Sequence, residues 1–448
     1  MKRKIHIIFT MSLCLATLGF TSCENDEPQL PVQEEIVPEE EPKVEESKVE
    51  EPKSEEPQSR GAIPISLEGK QSAINDKLND FAWRLFSEAY AQKTEPANIL
   101  LSPLSLEIAL AMFQNGLVPE DQLKMLKTMG LEGYTTDEVN AYFKTMVEGI
   151  VEADDMATLE IANALWYQDD YKINADFQQT LEDGFDAKVQ DAPFDNATID
   201  AINQWCAEKT HDLITEILPP GFYPDVFTLL NAVYFKAGWE VHFKEENTEE
   251  LPFHFADGTT ENISMMQKLP LMEDSDESFF YLENTDYQAI ALPFKNDAFK
   301  WFAFLPQEGK SVADILPLIS SETLDNLTMY KSDLSGVTIP KYDINYTVGN
   351  LVSIIDALNP DLHFYSLNFQ GAFETQLPPD LVINALQKTC FKIDEEGAEA
   401  AAVTAIVGVT SVPILSSITF NRPFIYGLME TSSGCPLFIG YYGDKTKE

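Results

Sequence analysis

The sequence predicts one large α+β domain that follows an export signal and an acidic tether. Helical patterns dominate the first part of the domain, and strand-like runs of β-branched and aromatic residues dominate the rest. This order is typical of an α+β arrangement and not of alternating βαβ units. No linker-like stretch interrupts residues 62–447, and 44% hydrophobic residues with 28 Phe suffice for a sizeable core. We therefore predict a single domain over 62–448.

Residues 1–22 have the features of an export signal. The start Met1-Lys-Arg-Lys4 is basic, and the apolar stretch after it is short for a membrane span and ends at Thr21-Ser22-Cys23. Small residues before a cysteine predict a bacterial lipoprotein whose mature chain begins at lipidated Cys23; an ordinary secretory signal is the alternative. We expect an outer-membrane location, exposed at the cell surface, because Glu24-Asn-Asp-Glu27 resembles the acidic start of surface-exported bacterial lipoproteins.

Residues 23–61 are predicted to be a disordered tether. Glu, Pro, Lys and Val dominate this stretch, and high charge without aromatic residues cannot form a core. The net charge of the whole chain is −44, which argues against nucleic acid and anionic membranes as partners, since phosphate contacts need Lys and Arg. Contact with the membrane is therefore expected only through the lipid anchor.

The elements of the domain follow from hydrophobic periodicity. Helical spacing of apolar residues predicts helices over 73–90, 104–116, 122–129, 136–152 and 197–210. Strand-like runs occur at 156–167, 227–235, 287–293, 301–305, 336–340, 385–393, 418–422, 424–430 and 437–442.

The residues that enzymes use are sparse and scattered. Outside the export signal, His211, His242, His254 and His363 stand singly, and the chain has no nucleophile elbow, phosphate-binding loop or dinucleotide motif. The pairs 154–155 and 169–170 are adjacent carboxylates, which we expect to be solvated turns. The remaining cysteines Cys206, Cys390 and Cys435 are too distant for a zinc site or a disulfide framework. We predict no metal, no cofactor and no enzymatic activity.

The segment Asp394-Glu-Glu-Gly-Ala-Glu-Ala-Ala-Ala-Val-Thr-Ala405 joins a Glu-Glu-Gly turn to a run of very small residues. A flexible surface loop or an Ala-rich helix is one interpretation. The other is a strand held in reserve. At period two, positions 398, 400, 402, 404, 406 and 408 share one face and are small enough to enter between two existing strands without overpacking. A loop that joins a sheet in this way is a known mode of strand addition.

Several motifs occur in a fixed order along the domain. They are Asn98-Ile-Leu-Leu-Ser-Pro-Leu-Ser105, Asn163-Ala-Leu-Trp166, Leu230-Asn-Ala-Val-Tyr-Phe-Lys-Ala-Gly-Trp239, Phe420-Asn-Arg-Pro-Phe424 and Pro436-Leu-Phe-Ile-Gly440. Each is weak alone. Their order and spacing, with the segment just described, resemble the serpin family over essentially everything from about residue 70 to the end.

This resemblance implies a serpin fold with about nine helices, three β-sheets and an exposed reactive loop near the C-terminus. It also implies a metastable native state and a suicide-substrate mechanism. A target serine protease cleaves the loop and forms an acyl-enzyme. The loop then inserts into the central sheet, and the protease stays trapped in a covalent complex. The protein would act as a monomeric inhibitor and not as a catalyst.

The resemblance further assigns roles to single residues. Gly397 matches the hinge glycine, Glu395 matches the hinge glutamate, and Ala398 stands where Thr or Ser is usual. The predicted hinge comprises Glu395, Glu396, Gly397, Ala398, Glu399, Ala400, Ala401 and Ala402.

A polar cluster where the strands must part is the second assigned site. Ser102, Ser105 and Asn231 match it, and Gln387 stands where a His is usual. Because Gln donates and accepts at once, the hydrogen bonds are expected to persist without the pH dependence of a His. Trp239 matches the aromatic residue at the top of the sheet, where insertion begins.

The bond that a protease would cleave is less closely defined. The usual spacing from Gly397 gives Ser411 before Val412, whereas the Ser-x-Pro pattern gives Thr410 and counting back from Phe420 gives Val412. We favour Ser411, with Thr410 next. The window has no Lys, Arg or large aromatic residue, so a shallow pocket of the elastase, proteinase-3 or subtilisin type fits best. Papain-like proteases are an alternative target.

Two other functions are compatible with parts of the sequence. A non-inhibitory serpin would act as a binding or storage protein, but such members often carry charged, bulky or Pro residues on the inserting face, and this chain does not. An unrelated surface adhesin or hydrolase would need a site that the sequence does not contain in recognisable form.

Overall fold

Helices dominate the first third of the domain, as the sequence predicts. The computed structural model describes residues 59–221, 224–240, 243–268, 279–329, 331, 334, 336–379, 381, 387–398 and 417–445. Within them, the α-helices are α1 (Lys70–Ala91), α2 (Pro103–Gly116), α3 (Pro119–Thr128), α4 (Thr136–Glu152), α5 (Ala175–Phe185), α6 (Asn196–Lys209), α7 (Val312–Ile315), α8 (Ser321–Leu327) and α9 (Leu351–Leu358). None of the helices in these residues is long and apolar enough to cross a membrane.

Local sequence explains where the helices begin. The Thr135 hydroxyl accepts from the Glu138 N–H at 3.3 Å, and the Glu138 carboxylate accepts from the Thr135 N–H at 3.0 Å, which is a capping box at the start of α4. Pro103 and Pro119 occupy the first turns of α2 and α3, where a missing N–H costs nothing. The Asp195 carboxylate caps α6.

The strands form four sheets among the described residues. Their bounds are β1 (Ile99–Leu101), β2 (Ala157–Gln168), β3 (Ala187–Ala192), β4 (Phe227–Gly238), β5 (Glu249–His254), β6 (Thr260–Lys268), β7 (Phe280–Glu283), β8 (Tyr287–Pro293), β9 (Phe299–Pro306), β10 (Gly336–Pro340), β11 (Tyr342–Val348), β12 (Gln387–Ile393), β13 (Gly397–Ala398), β14 (Ser417–Thr419), β15 (Phe424–Glu430) and β16 (Pro436–Tyr442). The sheet orders are β1-β16-β15-β9-β8-β7, β14-β10-β6-β5, β13-β4-β2-β3 and β11-β12.

The six-stranded sheet forms the centre of the core. Every residue of β9 and β15 is buried. Helix α1 packs on this sheet through Trp83, whose ring centroid lies 6.0 Å from that of Phe302 and 6.2 Å from that of Phe304. This packing leaves the β13-β4-β2-β3 and β11-β12 sheets to build the candidate site.

The α+β fold is confirmed, and one detail differs from the expectation. The family resemblance implied three sheets, whereas the described strands form four. The extra sheet arises because β11 and β12 pair with each other, but no described residue of β12 pairs with β4. The expectation of a solvated turn at 154–155 is wrong for Asp154, which is only 4% exposed and accepts from the Met156 N–H at 2.8 Å and the Asn296 amide at 2.6 Å.

Candidate functional site

The chain reverses direction at the end of β12 through a tight turn. The Asp394 N–H donates to the Gly397 carbonyl at 3.1 Å, and the Gly397 N–H donates to the Asp394 carbonyl at 3.3 Å. After this turn β13 runs antiparallel to β4, with Gly397 opposite Gly238 and Ala398 opposite Ala237. The first residues of the small-residue segment are therefore already part of the sheet.

Trp239 holds this turn in place. Its backbone N–H donates to the Glu396 carbonyl at 3.0 Å, and its indole N–H donates to the Asp394 carbonyl at 2.8 Å. The indole is fully buried and stacks on Phe294, with ring centroids 4.5 Å apart and planes 8° from parallel. The turn is thus fixed by one backbone and one side-chain hydrogen bond from a residue whose indole cannot move without disturbing the core.

An ion pair fixes the turn from the other side. The buried Glu395 carboxylate accepts from the Lys341 ammonium at 2.7 Å and from the Thr248 hydroxyl at 2.7 Å. Burial alone would raise the pKa of Glu395, but the hydrogen bonds from Lys341 and Thr248 outweigh it and lower that pKa. The same hydrogen bond raises the pKa of Lys341.

Gly397 is required by the geometry of β13. Its φ is +143°, a backbone conformation that residues with side chains rarely adopt. A Cβ added there would lie 2.0 Å from the Ala237 carbonyl oxygen and 2.9 Å from the Gly238 Cα. Pairing with β4 at this point therefore excludes any side chain at 397, while Ala398 fits and is 1% exposed.

Beyond β13, a crevice separates β4 from β12. It is lined by Val233 and Phe235 of β4, by Cys390 and Lys392 of β12, and by Ile214, which follows α6. The edges of β4 and β12 on this side have no strand partner among the described residues, apart from the two residues of β13. The two strand edges frame a slot whose upper end β13 has already entered.

Two of the predicted polar-cluster residues meet below this slot. The Gln387 amide donates to the Ser102 carbonyl at 2.8 Å and its oxygen accepts from the Ser102 N–H at 3.1 Å. The next buried strand residue, Thr389, donates to the Leu100 carbonyl at 3.0 Å. These bonds tie the start of β12 to the segment that leads into α2. The Gln amide thus satisfies one donor and one acceptor at once, which is the behaviour expected of it.

The other predicted members are buried or half-buried but have different partners. Asn231 of β4 donates to Asn163 of β2 at 2.5 Å, and Asn163 donates to the Phe185 carbonyl at 2.7 Å. Ser105 is buried in α2. Within the described residues, no side-chain hydrogen bond joins Asn231 or Ser105 to the Ser102–Gln387 pair. The Ser102 hydroxyl and the Asn231 amide oxygen are buried without a hydrogen-bond partner in the described structure.

Sequence reasoning missed two of the residues that hold the turn, Lys341 and Thr248. It placed Asn163 only within a motif on a predicted strand. A Lys directly after a predicted strand gives no indication of its partner 54 residues away. The predicted hinge positions 399–402, the residues Thr410, Ser411 and Val412, the lipidation site Cys23 and His242 lie outside the described residues.

The remaining histidine and cysteine candidates have contacts or burial of a structural kind. His211 is exposed and contacts the Glu160 carboxylate at 3.0 Å. Cys206, Cys390 and Cys435 are buried thiols, and burial raises the pKa of Cys206 to about 11. No group of His, Cys, Asp and Glu among the described residues could hold a metal ion.

Comparison with known proteins gives one consistent answer. A family model described as serpin (serine protease inhibitor) matches residues 76–444. Mouse neuroserpin (Mus musculus) is 26% identical over 362 residues, which cover 77% of this chain and 86% of neuroserpin.

Solved structures agree with the family match. The thermophilic serpin tengpin in its native state has a TM-score of 0.74 at 25% identity and covers 87% of this chain and 100% of its own. Its latent state has a TM-score of 0.67 at 24% identity, covering 86% and 100%. Thyroxine-binding globulin in complex with thyroxine has a TM-score of 0.71 at 22% identity, covering 85% and 100%, which is a likeness of fold.

Proposed function

Because this chain belongs to the serpin family, we propose that it is a suicide-substrate inhibitor of serine endopeptidases that prefer small residues, of the elastase or subtilisin type. A target protease would cleave the loop, with Ser411–Val412 the favoured bond and Thr410 the next choice for the cleaved residue. The loop would then insert between β4 and β12 before the acyl-enzyme is hydrolysed.

One observation carries this proposal: the hinge enters the sheet in a register that the rest of the loop can continue. Gly397 lies opposite Gly238 and Ala398 lies opposite Ala237. Continuing residue by residue places 399 opposite Lys236, 400 opposite Phe235, 402 opposite Val233 and 404 opposite Asn231.

The small residues of the loop match the strand they would face. Residues directly opposite each other in a sheet share one face. Ala237 and Phe235 point into the main core, so Ala398, Ala400 and Ala402 would point there as well. None of them adds bulk that the core would have to accommodate.

The alternate residues of the loop would lie on the other face. Glu399 would lie opposite Lys236, which is half-buried, and this charge pairing is favourable. Both faces of the continued register are therefore compatible with insertion.

Insertion would also give the unpaired edges of β4 and β12 a strand partner, so that their backbone groups form ladder hydrogen bonds. Each ladder hydrogen bond contributes about 1 kcal/mol net, so a strand of about ten residues between β4 and β12 would gain on the order of 10 kcal/mol from its two edges. Such a gain supports a native state that is metastable relative to the inserted state.

Incubation with pancreatic elastase tests the proposal. We expect a complex that survives SDS and boiling, with a mass equal to the protease plus the N-terminal inhibitor fragment ending within 409–412, less one water for the ester bond. Intact mass of the released C-terminal fragment would identify the cut. A chain that is cut quantitatively without any complex would support the non-inhibitory alternative. A complex with papain but with no serine protease would favour the cysteine-protease alternative.

We also propose that lipidated Cys23 anchors a monomeric inhibitor to the outer membrane, at the cell surface. The support is the sequence around Cys23. Replacement Cys23→Ala should release the protein from the membrane fraction and abolish labelling by a radioactive fatty acid. Labelling that persists in this variant would contradict the assignment.

A further inference from the structure

A groove runs along the first half of β2. One wall is α4, with Lys144, Val151 and Glu152 on it, and the opposite wall is the end of α5 at Gly184. Residues 159–162 of β2 form the floor. The Asn163 amide donates to the Phe185 carbonyl at 2.7 Å, which closes the groove at one end.

The floor of this groove is a strand edge without a partner. Strand β2 pairs with β4 from Ala157 to Tyr167, but with β3 only from Asn163 onward. On the β3 side, residues 157–162 therefore have no strand partner in the described structure. An unpaired edge presents backbone N–H and C=O groups at the spacing of a strand, so it can accept an added one.

The side chains around this edge combine apolar and acidic character. Val151 is 47% exposed, and Val147, Leu159 and Ile161 also line the groove. Its carboxylates are Glu148, Glu152, Glu160, Glu182, Asp183 and Asp186. Two cations, Lys144 and Lys209, also line it.

Most of this negative charge is not neutralised within the described structure. Glu160 contacts His211, and Glu182 and Asp183 accept from neutral Gln side chains one turn earlier in α5. No described residue forms an ion pair with Glu148 or Glu152. A ligand that fills the groove must therefore bring positive charge with it.

We propose that this groove binds an extended basic peptide segment of a partner protein by strand addition to the outer edge of β2. Backbone hydrogen bonds to residues 157–162 would hold the segment, its lysine or arginine side chains would pair with the carboxylates, and alternate apolar side chains would cover the half-buried Ile161 and the exposed Val151. The chain's own tether is not suited to this place, because it is dominated by Glu.

The site is distinct from the slot that would take the reactive loop. The slot lies on the β12 side of β4, whereas the groove lies beyond β2 on the opposite side. Binding can therefore be measured directly on the intact protein, and its outcome does not depend on whether the protein inhibits a protease.

Fluorescence anisotropy with a short fluorescein-labelled peptide of alternating Lys and Val tests the proposal. We expect saturable binding that weakens at least about tenfold in the double variant Glu148→Lys and Glu152→Lys. Each glutamate would contribute about half of a tenfold step to the affinity for the basic peptide, and each replacement turns that attraction into a repulsion. The matched control is Glu132→Lys with Glu322→Lys, which changes the net charge equally at exposed positions outside the groove. It should bind the peptide nearly as the wild type does.

Two further probes separate strand addition from charge attraction. The same peptide with methylated backbone nitrogens should lose most of its affinity, and a Glu–Val peptide should not bind. Equal affinity of the methylated peptide would overturn strand addition. Equal weakening in both double variants, or no saturable binding of the Lys–Val peptide at about 1 mM, would overturn the site.

Discussion

The substitution Ala400→Arg tests the continued register of the loop. Position 400 would lie opposite Phe235, which is 5% exposed and packs against Phe294 and Phe299 at ring distances of 5.3 and 5.1 Å. A guanidinium on that face would lose its hydration without an acidic partner, at a cost of about 3 kcal/mol or more. When this desolvation cost is present in the transition state of insertion, insertion slows about 100-fold. Deacylation of the acyl-enzyme is then faster than loop insertion, so the protease cleaves the variant as a substrate.

The assay compares the stoichiometry of inhibition of elastase, the yield of SDS-stable complex and the melting temperature of the uncleaved protein. The control Glu399→Arg places the same side chain on the other face, opposite Lys236, where like charges cost less than about 1 kcal/mol. We expect Ala400→Arg to abolish the complex with an unchanged melting temperature, and Glu399→Arg to keep most of it. Normal complex yield from Ala400→Arg would refute the register.

Three further predictions concern the described residues. The pKa of Glu395 is lowered in the folded protein, so its contribution to stability is present above the ordinary value of 4.5 and is lost as the pH falls through the folded pKa. The variant Glu395→Gln should therefore melt at a lower temperature than wild type at about pH 7, by an amount worth about 1 kcal/mol because Lys341 is partly exposed. The melting temperatures of the two proteins should converge in acid. Burial raises the pKa of Glu107 well above its ordinary value of 4.5, so the contribution of this carboxyl to folding stability is present below 4.5 and is lost as the pH rises through the folded pKa. Thermal melts should therefore show Glu107→Gln gaining stability relative to wild type as the pH rises. A stability difference that stays constant with pH would contradict a buried ionising carboxyl. Gln387→Ala leaves the Ser102 N–H buried without its partner, whereas the Ser102 carbonyl keeps its hydrogen bond from the Leu106 N–H at 3.1 Å. The variant should therefore cost about 1–3 kcal/mol in denaturant unfolding, and a loss below about 0.5 kcal/mol would mean that water replaces the amide.

Long periodic segments were predictable from the sequence. The predicted helix 73–90 corresponds to α1, and 136–152 coincides with α4, because apolar residues recur at helical spacing over several turns. Four strands of the six-stranded sheet, β8, β9, β15 and β16, were also predictable, since buried strands read as short apolar runs, whereas the edge strands β1 and β7 were missed. The hairpin of β5 and β6 was missed. Strand β5 begins with the exposed Glu249 and Glu250, so the composition of the segment resembles a loop.

The candidate site was predictable in part. The family resemblance brought Trp239, Glu395 and Gly397 to one end of a sheet, and the structure places them in contact or within one turn. The partners that hold the turn could not be predicted, because a contact between Glu395 and Lys341 depends on how β10 and β12 end in space. The separation of β12 from β4 was equally inaccessible, since strand pairing is a tertiary property that local pattern does not encode.

The close approach of Gly397 to the Ala237 carbonyl divides the loop into a part that must stay constant and a part that is free to vary. No amino acid other than glycine leaves room for that oxygen. The positions that a protease would read lie more than ten residues further along the chain. Under the proposed mechanism, natural variation or protein engineering would redirect the chain to a new protease by exchanging residues at 409–412, while the hinge that starts insertion would be inherited intact.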